Sequence, residues 1–327
     1  MEISKRLALL AIAVMVLAIA QIGLPDVAKM ADARANHDLP ARQRFEAARS
    51  YCCFYGSGHV AELSHFDTAI LHVPREHPDD VRKLSALGVV TVGYLSVGED
   101  ETLRIGNGRG PGGTASWYFD KNHSGQPDRN ETWNSFFANA NDPAWRADRV
   151  QEARHLCGQG QGDYGFDGVF LDTIDTVDSY PQSRGGMIQL IADLRTALPD
   201  KVIVINRGFS LLGEDAFTSR IDGLMFESFS DSFDPGNKKY IELGPQELEN
   251  TGKIMQSVVA PAVKKYGLRV LALDYVPRQT DRIQRAFDRA VSFNMVPGVG
   301  PMLLDEVYDT AGITGHSQSK YLANLSK

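Results

Sequence analysis

The sequence of 327 residues has no excess of basic side chains. Lysine and arginine together number 34, aspartate and glutamate number 41, and the formal net charge is -7. Nucleic acids bind proteins largely through their phosphates, which require a basic surface. The charge balance therefore argues against a nucleic-acid partner and disfavours any polyanionic ligand, whereas a neutral or cationic ligand is compatible with it.

Cysteine is also scarce, with Cys52, Cys53 and Cys157 as the whole set. There is no Cys-x-x-Cys spacing and no histidine at ligand spacing from these residues, which argues against a zinc site. In an oxidising compartment, three cysteines allow one disulfide and one leftover thiol, with Cys157 paired to either Cys52 or Cys53. Three buried, inert thiols are the alternative, and the sequence leaves both arrangements open.

Two motifs that would indicate other architectures or chemistries are missing. No Gly-x-Gly-x-x-Gly turn follows the first predicted strand, which disfavours an open, doubly wound sheet. No His-x-His pair or Asp/His set stands at a predicted strand end. The histidines that cluster early in the chain lack ligand spacing, and they are His59, His65, His72 and His77. The sequence therefore gives no support to a catalytic metal site.

The one long apolar run lies at the N-terminus. Lys5 and Arg6 precede an apolar stretch from Leu7 to Ala20, and Ala33-Arg34-Ala35 supplies a small-x-small cleavage site. This pattern is typical of a secretory signal peptide, so we expect residues 1–35 to be removed and residues 36–327 to be secreted or periplasmic. The run is shorter than the ~20 residues of a spanning helix, and an uncleaved anchor is the alternative.

Short apolar runs alternate with stretches of helical period along the rest of the chain. Strands are predicted near Tyr51–Tyr55, Phe66–Val73, Val89–Val97, Phe166–Asp172, Lys201–Asn206, Ile221–Phe229, Arg269–Tyr275 and Asn294–Val299. Helices are predicted at Pro78–Leu87, Pro143–Cys157, Gly186–Leu198, Pro245–Tyr266 and Thr280–Phe293. Strands that alternate with helices favour a parallel sheet, and this arrangement predicts a (β/α)8 TIM barrel in a single domain, residues 36–327.

Two of the predicted strands end in an acid at the same offset. Asp167-Gly-Val-Phe-Leu-Asp172 and Asp222-Gly-Leu-Met-Phe-Glu227 both place three apolar residues between a glycine and a carboxylate. Because side chains alternate between the faces of a strand, Asp172 and Glu227 have equivalent orientations. In one parallel sheet the two acids would meet at its carboxyl edge, where barrel enzymes hold their active sites.

Other polar and aromatic residues follow the predicted strands. Those predicted to bind a ligand at the same edge are Tyr94, Glu99, Asp175, Asn206, Asp274 and Tyr275. The longest connection, Asp100 to about Asp142, is rich in Gly, Asn and Asp, and so long a loop in a compact domain is usually functional. Trp117 in this loop is predicted to stack on a sugar ring, whereas Trp145 lies on a helix and is expected in the core.

The same loop contains the twelve-residue spacing of a calcium-binding loop. Oxygen ligands are predicted from Asp120, Asn122, Ser124, Asp128 and Glu131, with the carbonyl of Gln126 and with Gly125 at the sixth position. Pro127, Lys121 and Arg129 depart from the usual pattern, and a solvated polar turn is the alternative. Any calcium here would be structural, because the expected chemistry requires no cofactor.

An ordered set of these segments resembles glycoside hydrolase family 114, the endo-α-1,4-polygalactosaminidases. The segments are Tyr94-Leu-Ser-Val-Gly-Glu99, the loop with Trp117, Tyr118 and Asp120, Phe166-Asp-Gly-Val-Phe-Leu-Asp172, Asn206-Arg-Gly208, Glu227-Ser228 and Leu273-Asp-Tyr275. The resemblance implies a secreted (β/α)8 enzyme that cuts galactosamine-containing exopolysaccharide with retention, using Asp172 as nucleophile and Glu227 as acid/base. The implied partner is a cationic or partly acetylated amino-sugar polymer. His72 departs from the pattern, because related sequences often carry an acid near the end of the second strand.

The residues alone favour the same chemistry. In glycoside hydrolysis one carboxyl protonates the leaving oxygen while the other attacks or activates water. Glu227 has the more apolar neighbours and is the better acid, because burial raises the pKa of a carboxyl. The alternatives are a non-catalytic carbohydrate-binding barrel and a metal-dependent polysaccharide hydrolase or deacetylase.

Overall fold

The computed structural model describes residues 39–278, 281–308 and 310. The predicted signal peptide, residues 1–35, lies outside these residues, so its removal stays a prediction. Within the described part of the chain, no helix combines the length and the apolar composition that crossing a membrane requires.

The strands of the described residues divide into one large sheet and two small ones. In chain order they are β1 (Tyr51–Phe54), β2 (Thr68–Leu71), β3 (Val90–Ser96), β4 (Glu99–Asp100), β5 (Arg129–Asn130), β6 (Ser135–Phe137), β7 (Gly168–Asp172), β8 (Val202–Asn206), β9 (Gly223–Glu227), β10 (Asp231–Asp234), β11 (Lys239–Glu242), β12 (Arg269–Tyr275) and β13 (Val296–Gly300). The large sheet has the order β1-β2-β3-β7-β8-β9-β12-β13, with all neighbours parallel. β13 also packs beside β1, which makes a nearly closed barrel and confirms the predicted (β/α)8 fold.

Helices connect the barrel strands. The α-helices of the described residues are Ala41–Ala47, Val60–Leu63, Pro78–Ala86, Pro143–Cys157, Thr176–Ser179, Arg184–Ala197, Asp215–Thr218, Pro245–Ile254, Ala260–Tyr266 and Asp281–Ser292. Asp142 caps the helix Pro143–Cys157 by accepting the N–H of Ala144 at 2.8 Å. The helix predicted at Pro245–Tyr266 is interrupted by a π-helical turn, Met255–Val259, just before Pro261. Proline has no N–H to donate, so the regular ladder of hydrogen bonds cannot continue through it.

The apolar side chains of the barrel strands form an inner and an outer core. The inner core fills the barrel and includes Tyr51, Cys53, Ile70, Val92, Phe170, Val204, Met225 and Leu271. The outer core packs the sheet against the helices and includes Cys52, Phe54, Leu71, Val169, Leu171, Ile203, Leu224 and Phe226. Asp172 and Glu227 each follow an inner-core residue by two positions, so both acids face into the barrel at its carboxyl end.

Two extensions leave the barrel at the carboxyl ends of strands. The first, here called the insertion (residues 99–139), follows β3 and contains the antiparallel sheet β4-β6-β5. The second, here called the hairpin (residues 231–242), follows β9 and consists of β10 and β11. Both extensions therefore stand beside the barrel edge where the predicted acids lie.

The three cysteines are buried and unpaired. Cys52 and Cys53 are adjacent in β1 and point to the outer and inner core respectively, while Cys157 ends its helix in the outer core. Burial raises the pKa of each thiol. The structure thus has the arrangement of three inert thiols rather than a disulfide.

Candidate active site

A cavity of about 800 Å³ opens at the carboxyl ends of the barrel strands. Most of the residues predicted to form a site line it, namely Tyr94, Glu99, Asp172, Asp175, Asn206, Glu227 and Tyr275. These residues come from positions far apart in the sequence. They converge because parallel strands bring all their carboxyl ends to one edge of the barrel.

Asn206 lies between the carboxyl groups of Asp172 and Glu227. Its side-chain nitrogen donates to Asp172 Oδ1 at 2.9 Å and to Glu227 Oε2 at 2.7 Å. The order of the sheet explains the placement, since β8 lies between β7 and β9. Because one nitrogen contacts both oxygens, these oxygens lie closer together than the ~6.5 Å at which inverting glycosidases make room for a water molecule.

Each of the two carboxyl groups also accepts a hydrogen bond from a tyrosine. The hydroxyl of Tyr94 donates to Asp172 Oδ2 at 2.9 Å, and the hydroxyl of Tyr275 donates to Glu227 Oε1 at 2.6 Å. All four carboxyl oxygens therefore have a donor, and both side chains are held in one orientation.

Glu227 lies in surroundings that favour its protonated form. Burial, followed by the nearby Asp172 carboxylate, raises the pKa of Glu227 above its ordinary value, although hydrogen bonds from Asn206 and Tyr275 partly offset the rise. A carboxyl that keeps its proton towards neutral pH can serve as a general acid. This is the role that the sequence assigned to it.

A residue with a left-handed backbone follows each of the three central side chains. Thr173, Arg207 and Ser228 have φ angles of 61°, 55° and 59°, and they come directly after Asp172, Asn206 and Glu227. This conformation is strained for residues other than glycine and recurs at functional sites. The turns are tied to the neighbouring strands, because Arg207 N–H donates to Met225 O at 2.9 Å and Ser228 N–H donates to Leu273 O at 2.8 Å.

Glu99 and Asp175 also line the cavity, and the carboxyl group of each contacts a polar side chain. Glu99 is buried and accepts hydrogen bonds from Asn130 Nδ2, at 3.2 Å, and from Ser135 Oγ. Asp175 is 3.8 Å from Arg207, yet burial raises its pKa more than this cation lowers it. Both acids thus place a carboxyl group in the wall of the cavity.

The cavity also contains residues that the sequence analysis did not single out. They include Tyr55, Glu101 and Trp133. Burial, followed by Asp100, raises the pKa of Glu101. Arg207, from the segment Asn206-Arg-Gly208 noted in the sequence, also lines the cavity directly after β8.

Trp117 does not line the cavity, so the prediction that it contacts a ligand is corrected. Its side chain is 7% exposed and packs on Trp145, with 5.7 Å between the ring centroids. Trp145 lies in the core as expected and donates its ring N–H to Val97 O at 2.8 Å. Trp117 therefore belongs to the same outer core as Trp145 and the barrel helices.

Asp274 is also corrected, because its side chain is 1% exposed and lies outside the cavity. Its Oδ1 accepts the backbone N–H groups of Ser230, at 2.6 Å, and Asp231, at 2.9 Å. Burial raises the pKa of Asp274 to about 7. Tyr275, one position later, has the opposite parity and points into the cavity, so Asp274 supports the turn after β9.

His72 lines the cavity at the end of β2. Its ring lies near Tyr55 and Tyr94, with centroid separations of 5.2 and 5.3 Å. Burial, followed by Arg75, lowers the pKa of His72, which favours the neutral ring. His72 is therefore part of an aromatic wall beside Asp172 rather than a source of positive charge.

The acidic residues of the predicted calcium loop have hydrogen-bond or ion-pair partners within the chain. Asp120 accepts the N–H groups of Ser124 and Gly125, both at 2.8 Å. In the second half, Asp128 accepts the Tyr180 hydroxyl at 2.9 Å, and Glu131 is exposed and paired with Arg129. Among the described residues, no group of three or more His, Cys, Asp or Glu side chains is placed to hold a metal ion. The carboxylates thus do not converge on one point here, and calcium binding stays a prediction.

Comparisons with known proteins agree with this geometry. The family model for glycoside-hydrolase family GH114 matches residues 30–316. The glycoside hydrolase domain of PelA from Pseudomonas aeruginosa is 25% identical, with a TM-score of 0.64 and coverage of 80% of this chain and 97% of that one. Ega3 from Aspergillus fumigatus, in complex with galactosamine, shares the fold at 14% identity, with a TM-score of 0.51 and coverage of 79% and 92%. An uncharacterised protein from Deinococcus radiodurans is 25% identical over 237 residues, which is 69% of this chain and 68% of that protein.

Proposed function

Because the chain belongs to glycoside-hydrolase family GH114, we propose that this glycoside hydrolase cuts galactosamine-containing polysaccharide at internal bonds. The observation that carries the proposal is the pair of carboxyl groups, Asp172 and Glu227, bridged by the Asn206 amide. Asp172 accepts hydrogen bonds from Tyr94 and Asn206, whereas burial biases Glu227 towards its acid form. Glycoside hydrolysis requires such a pair on the two sides of the scissile bond.

The close approach of the two carboxyl groups supports a retaining mechanism. Asp172 attacks the anomeric carbon, while Glu227 gives its proton to the leaving glycosidic oxygen. The bond between sugar and leaving group breaks, and an ester between the sugar and Asp172 forms. Glu227 then takes a proton from water, the resulting hydroxide attacks the same carbon, and Asp172 is released as a carboxylate.

The charge of the cavity supports an amino-sugar substrate. Five carboxyl groups line it, from Glu99, Glu101, Asp172, Asp175 and Glu227, whereas Arg207 is the one lysine or arginine among the described lining residues. Arg207 is itself paired with Asp175. A cavity with this charge attracts the ammonium group of a deacetylated galactosamine.

The test is to incubate residues 36–327 with deacetylated and with fully acetylated galactosaminan. We expect short oligosaccharides from the deacetylated polymer, with the α configuration retained at the first-formed anomeric centre in NMR spectra. Asp172→Asn and Glu227→Gln serve as the controls. Product with inverted configuration would overturn the retaining mechanism. Absence of any cleavage would overturn the proposal that galactosaminan is the substrate. Loss of cleavage in the presence of a chelator would favour the metal-dependent alternative.

We also propose that the protein acts after export, which rests on the apolar stretch from Leu7 to Ala20 and the Ala33-Arg34-Ala35 site. Mass spectrometry of the exported protein should give an N-terminus near Asn36. Detection of an intact Met1 in that fraction would contradict cleavage of the signal.

A further inference from the structure

Trp133 is unusual among the tryptophans of this chain because most of its side chain is in contact with solvent. It lies in the turn between β5 and β6 of the insertion, and it is 59% exposed. Trp117 and Trp145 are buried. Within the described residues, Trp133 is also the one aromatic side chain among the large, exposed apolar residues.

The exposed ring of Trp133 is part of the wall of the active-site cavity. An indole ring that remains in water forgoes the stabilisation that burial of its apolar surface would give. The same insertion does bury Trp117, so the fold is able to cover an aromatic ring of this size. The exposure of Trp133 at this place therefore points to a ligand.

The ring of Trp133 is held in a fixed relation to the proposed acid. It packs edge-on against Phe233 of the hairpin, with 6.0 Å between ring centroids and an interplanar angle of 72°. Phe233 packs in the same manner against Tyr275, at 4.6 Å and 71°. Tyr275 in turn donates its hydroxyl to Glu227. Two ring contacts thus separate Trp133 from the residue that holds the acid.

The contact between Trp133 and Phe233 joins the two extensions of the barrel. The insertion is rooted at β3 and the hairpin at β9, and the strands between them in the sheet are β7 and β8. These two strands carry Asp172 and Asn206. Trp133 therefore lies at the exposed rim of the cavity, with the ring of Phe233 between it and Tyr275.

We infer that Trp133 is the stacking platform of an additional pyranose-binding subsite, one or more sugar residues away from the bond that is cut. The inference rests on the proposed function, because it takes the polysaccharide as the ligand. Pyranose rings present a face of C–H groups that packs on an indole, and an ammonium group on the sugar would add an attraction to the π system. Because Trp133 is 59% exposed, much of the indole surface is available for this role.

A subsite at this distance affects long substrates more than short ones. A polymer is long enough to contact Trp133 and the carboxyl pair at the same time. The shortest oligosaccharide that is still cut must contact the carboxyl pair and does not extend to Trp133. The contact lies away from the reacting atoms, so it stabilises the bound substrate and the transition state equally. Loss of such uniform binding raises KM and leaves kcat unchanged.

The experiment compares Trp133→Ala and Trp133→Phe with Ile105→Ala as a matched control. Ile105 belongs to the same insertion and is 74% exposed, but it does not line the cavity. For each variant, kcat and KM are measured on deacetylated galactosaminan and on the shortest galactosamine oligosaccharide that the wild type cleaves. We expect Trp133→Ala to lower the ratio of polymer to oligosaccharide kcat/KM by roughly three- to tenfold, through KM. Trp133→Phe should retain most of the ratio, and Ile105→Ala should retain all of it.

A binding measurement separates this inference from the proposed function. In the Asp172→Asn background, polymer is added while tryptophan emission is followed, and the emission of exposed Trp133 should change on binding. The added substitution Trp133→Phe should remove that change.

The results of these measurements distinguish the proposed subsite from the proposed activity. Cleavage by the wild type, with an unchanged substrate-length ratio in Trp133→Ala, would overturn the subsite alone. Polymer binding reported by Trp133, without any cleavage by the wild type, would overturn the proposed activity alone. Neither binding nor cleavage would overturn both.

Discussion

Two carboxyl groups that lie side by side in a buried site repel each other when both are ionised. In this protein the amide of Asn206 donates to both, so it lessens the repulsion and sets their separation. Tyr94 and Tyr275 fill the remaining acceptor positions. The donors hold both side chains in place, while burial and the nearby Asp172 carboxyl raise the pKa of Glu227.

The first prediction concerns the pH dependence of activity in Asn206→Ala. The hydrogen bond from Asn206 lowers the pKa of Glu227, which burial and Asp172 raise. Without this bond the pKa of Glu227 should rise further, so the acid keeps its proton to higher pH. We therefore expect the alkaline limb of kcat/KM to move to higher pH, while kcat falls because Asp172 loses a donor.

The matched control for that profile is Asn130→Ala. Asn130 also lines the cavity, but its amide donates to Glu99 rather than to Glu227. Its alkaline limb should coincide with that of the wild type. An alkaline limb that stays in place in Asn206→Ala, or that moves to lower pH, would show that the amide does not set the pKa of the acid.

The second prediction is that Asp172→Asn and Glu227→Gln each lower kcat by orders of magnitude while polymer binding survives. Each substitution removes a transition-state role and keeps the size of the side chain. Cleavage at close to the wild-type rate by either variant would remove that residue from the mechanism, and Asp175, which also lines the cavity, would be the next candidate.

Stability distinguishes a catalytic loss from misfolding in Glu227→Gln. The pKa of Glu227 is higher in the folded chain than in the unfolded one, so wild-type stability falls as pH rises from the ordinary glutamate value through the raised one. Glutamine has no such dependence. The Tm of Glu227→Gln should therefore match the wild type below about pH 4 and exceed it near pH 7. A Tm below that of the wild type near pH 7 would mean that the variant loses activity through its fold.

At the scale of elements, β7, β8 and β9 end in the same way. Each strand ends with a side chain that lines the cavity, namely Asp172, Asn206 or Glu227. The next residue has a left-handed backbone, which turns the chain away from the strand. The repeated turn keeps the three side chains at one level of the barrel edge. The strain of these turns is stored next to the reacting groups, as is common at functional sites.

The sequence was sufficient to predict the strands and the positions of the two acids, because both depend on local patterns, while the catalytic roles of the acids stay predictions. Apolar runs mark β7 and β9, and the two-residue period of a strand gives the facing of Asp172 and Glu227. Trp117 was assigned wrongly because exposure within a long loop depends on how the loop packs against the rest of the fold, here against Trp145. Asp274 was assigned wrongly because it lies one position out of phase with Tyr275, and side chains on the two faces of a strand meet different surroundings.

The third prediction belongs to the loop from Asp120 to Glu131. Asp120 accepts two backbone N–H groups of the loop, whereas Asp128 and Glu131 are paired with Tyr180 and Arg129. If calcium binds, it must draw these two carboxylates inward, and millimolar calcium should raise the Tm of the wild type. Asp120→Ala should abolish the rise, and magnesium serves as the control ion. An unchanged Tm with calcium would leave this segment as a polar turn.

At the scale of the whole molecule, acidic side chains are in excess both along the chain and around the cavity. The chain carries a formal net charge of -7, and the carboxyl groups of the cavity face a single arginine among the described lining residues. A cleft with one sign of charge concentrates its field in the opening and draws in ligands of the opposite sign. A cationic polymer would therefore be attracted before any specific contact forms.

The last prediction follows from this field, which salt screens over about 10 Å at 0.1 M ionic strength. With deacetylated galactosaminan, kcat/KM should fall about threefold or more as salt is raised from low to physiological strength, mainly through KM. With the fully acetylated polymer, which carries no ammonium groups, it should barely change. Glu101→Gln removes a charge from the cavity wall and should weaken the salt dependence, whereas Glu306→Gln, an exposed residue outside the cavity that pairs with Arg278, should leave it as in the wild type. Equal salt dependence on the two polymers would mean that the acidic cavity does not recognise the amino groups, and recognition would then depend on contacts such as the stacking surface of Trp133.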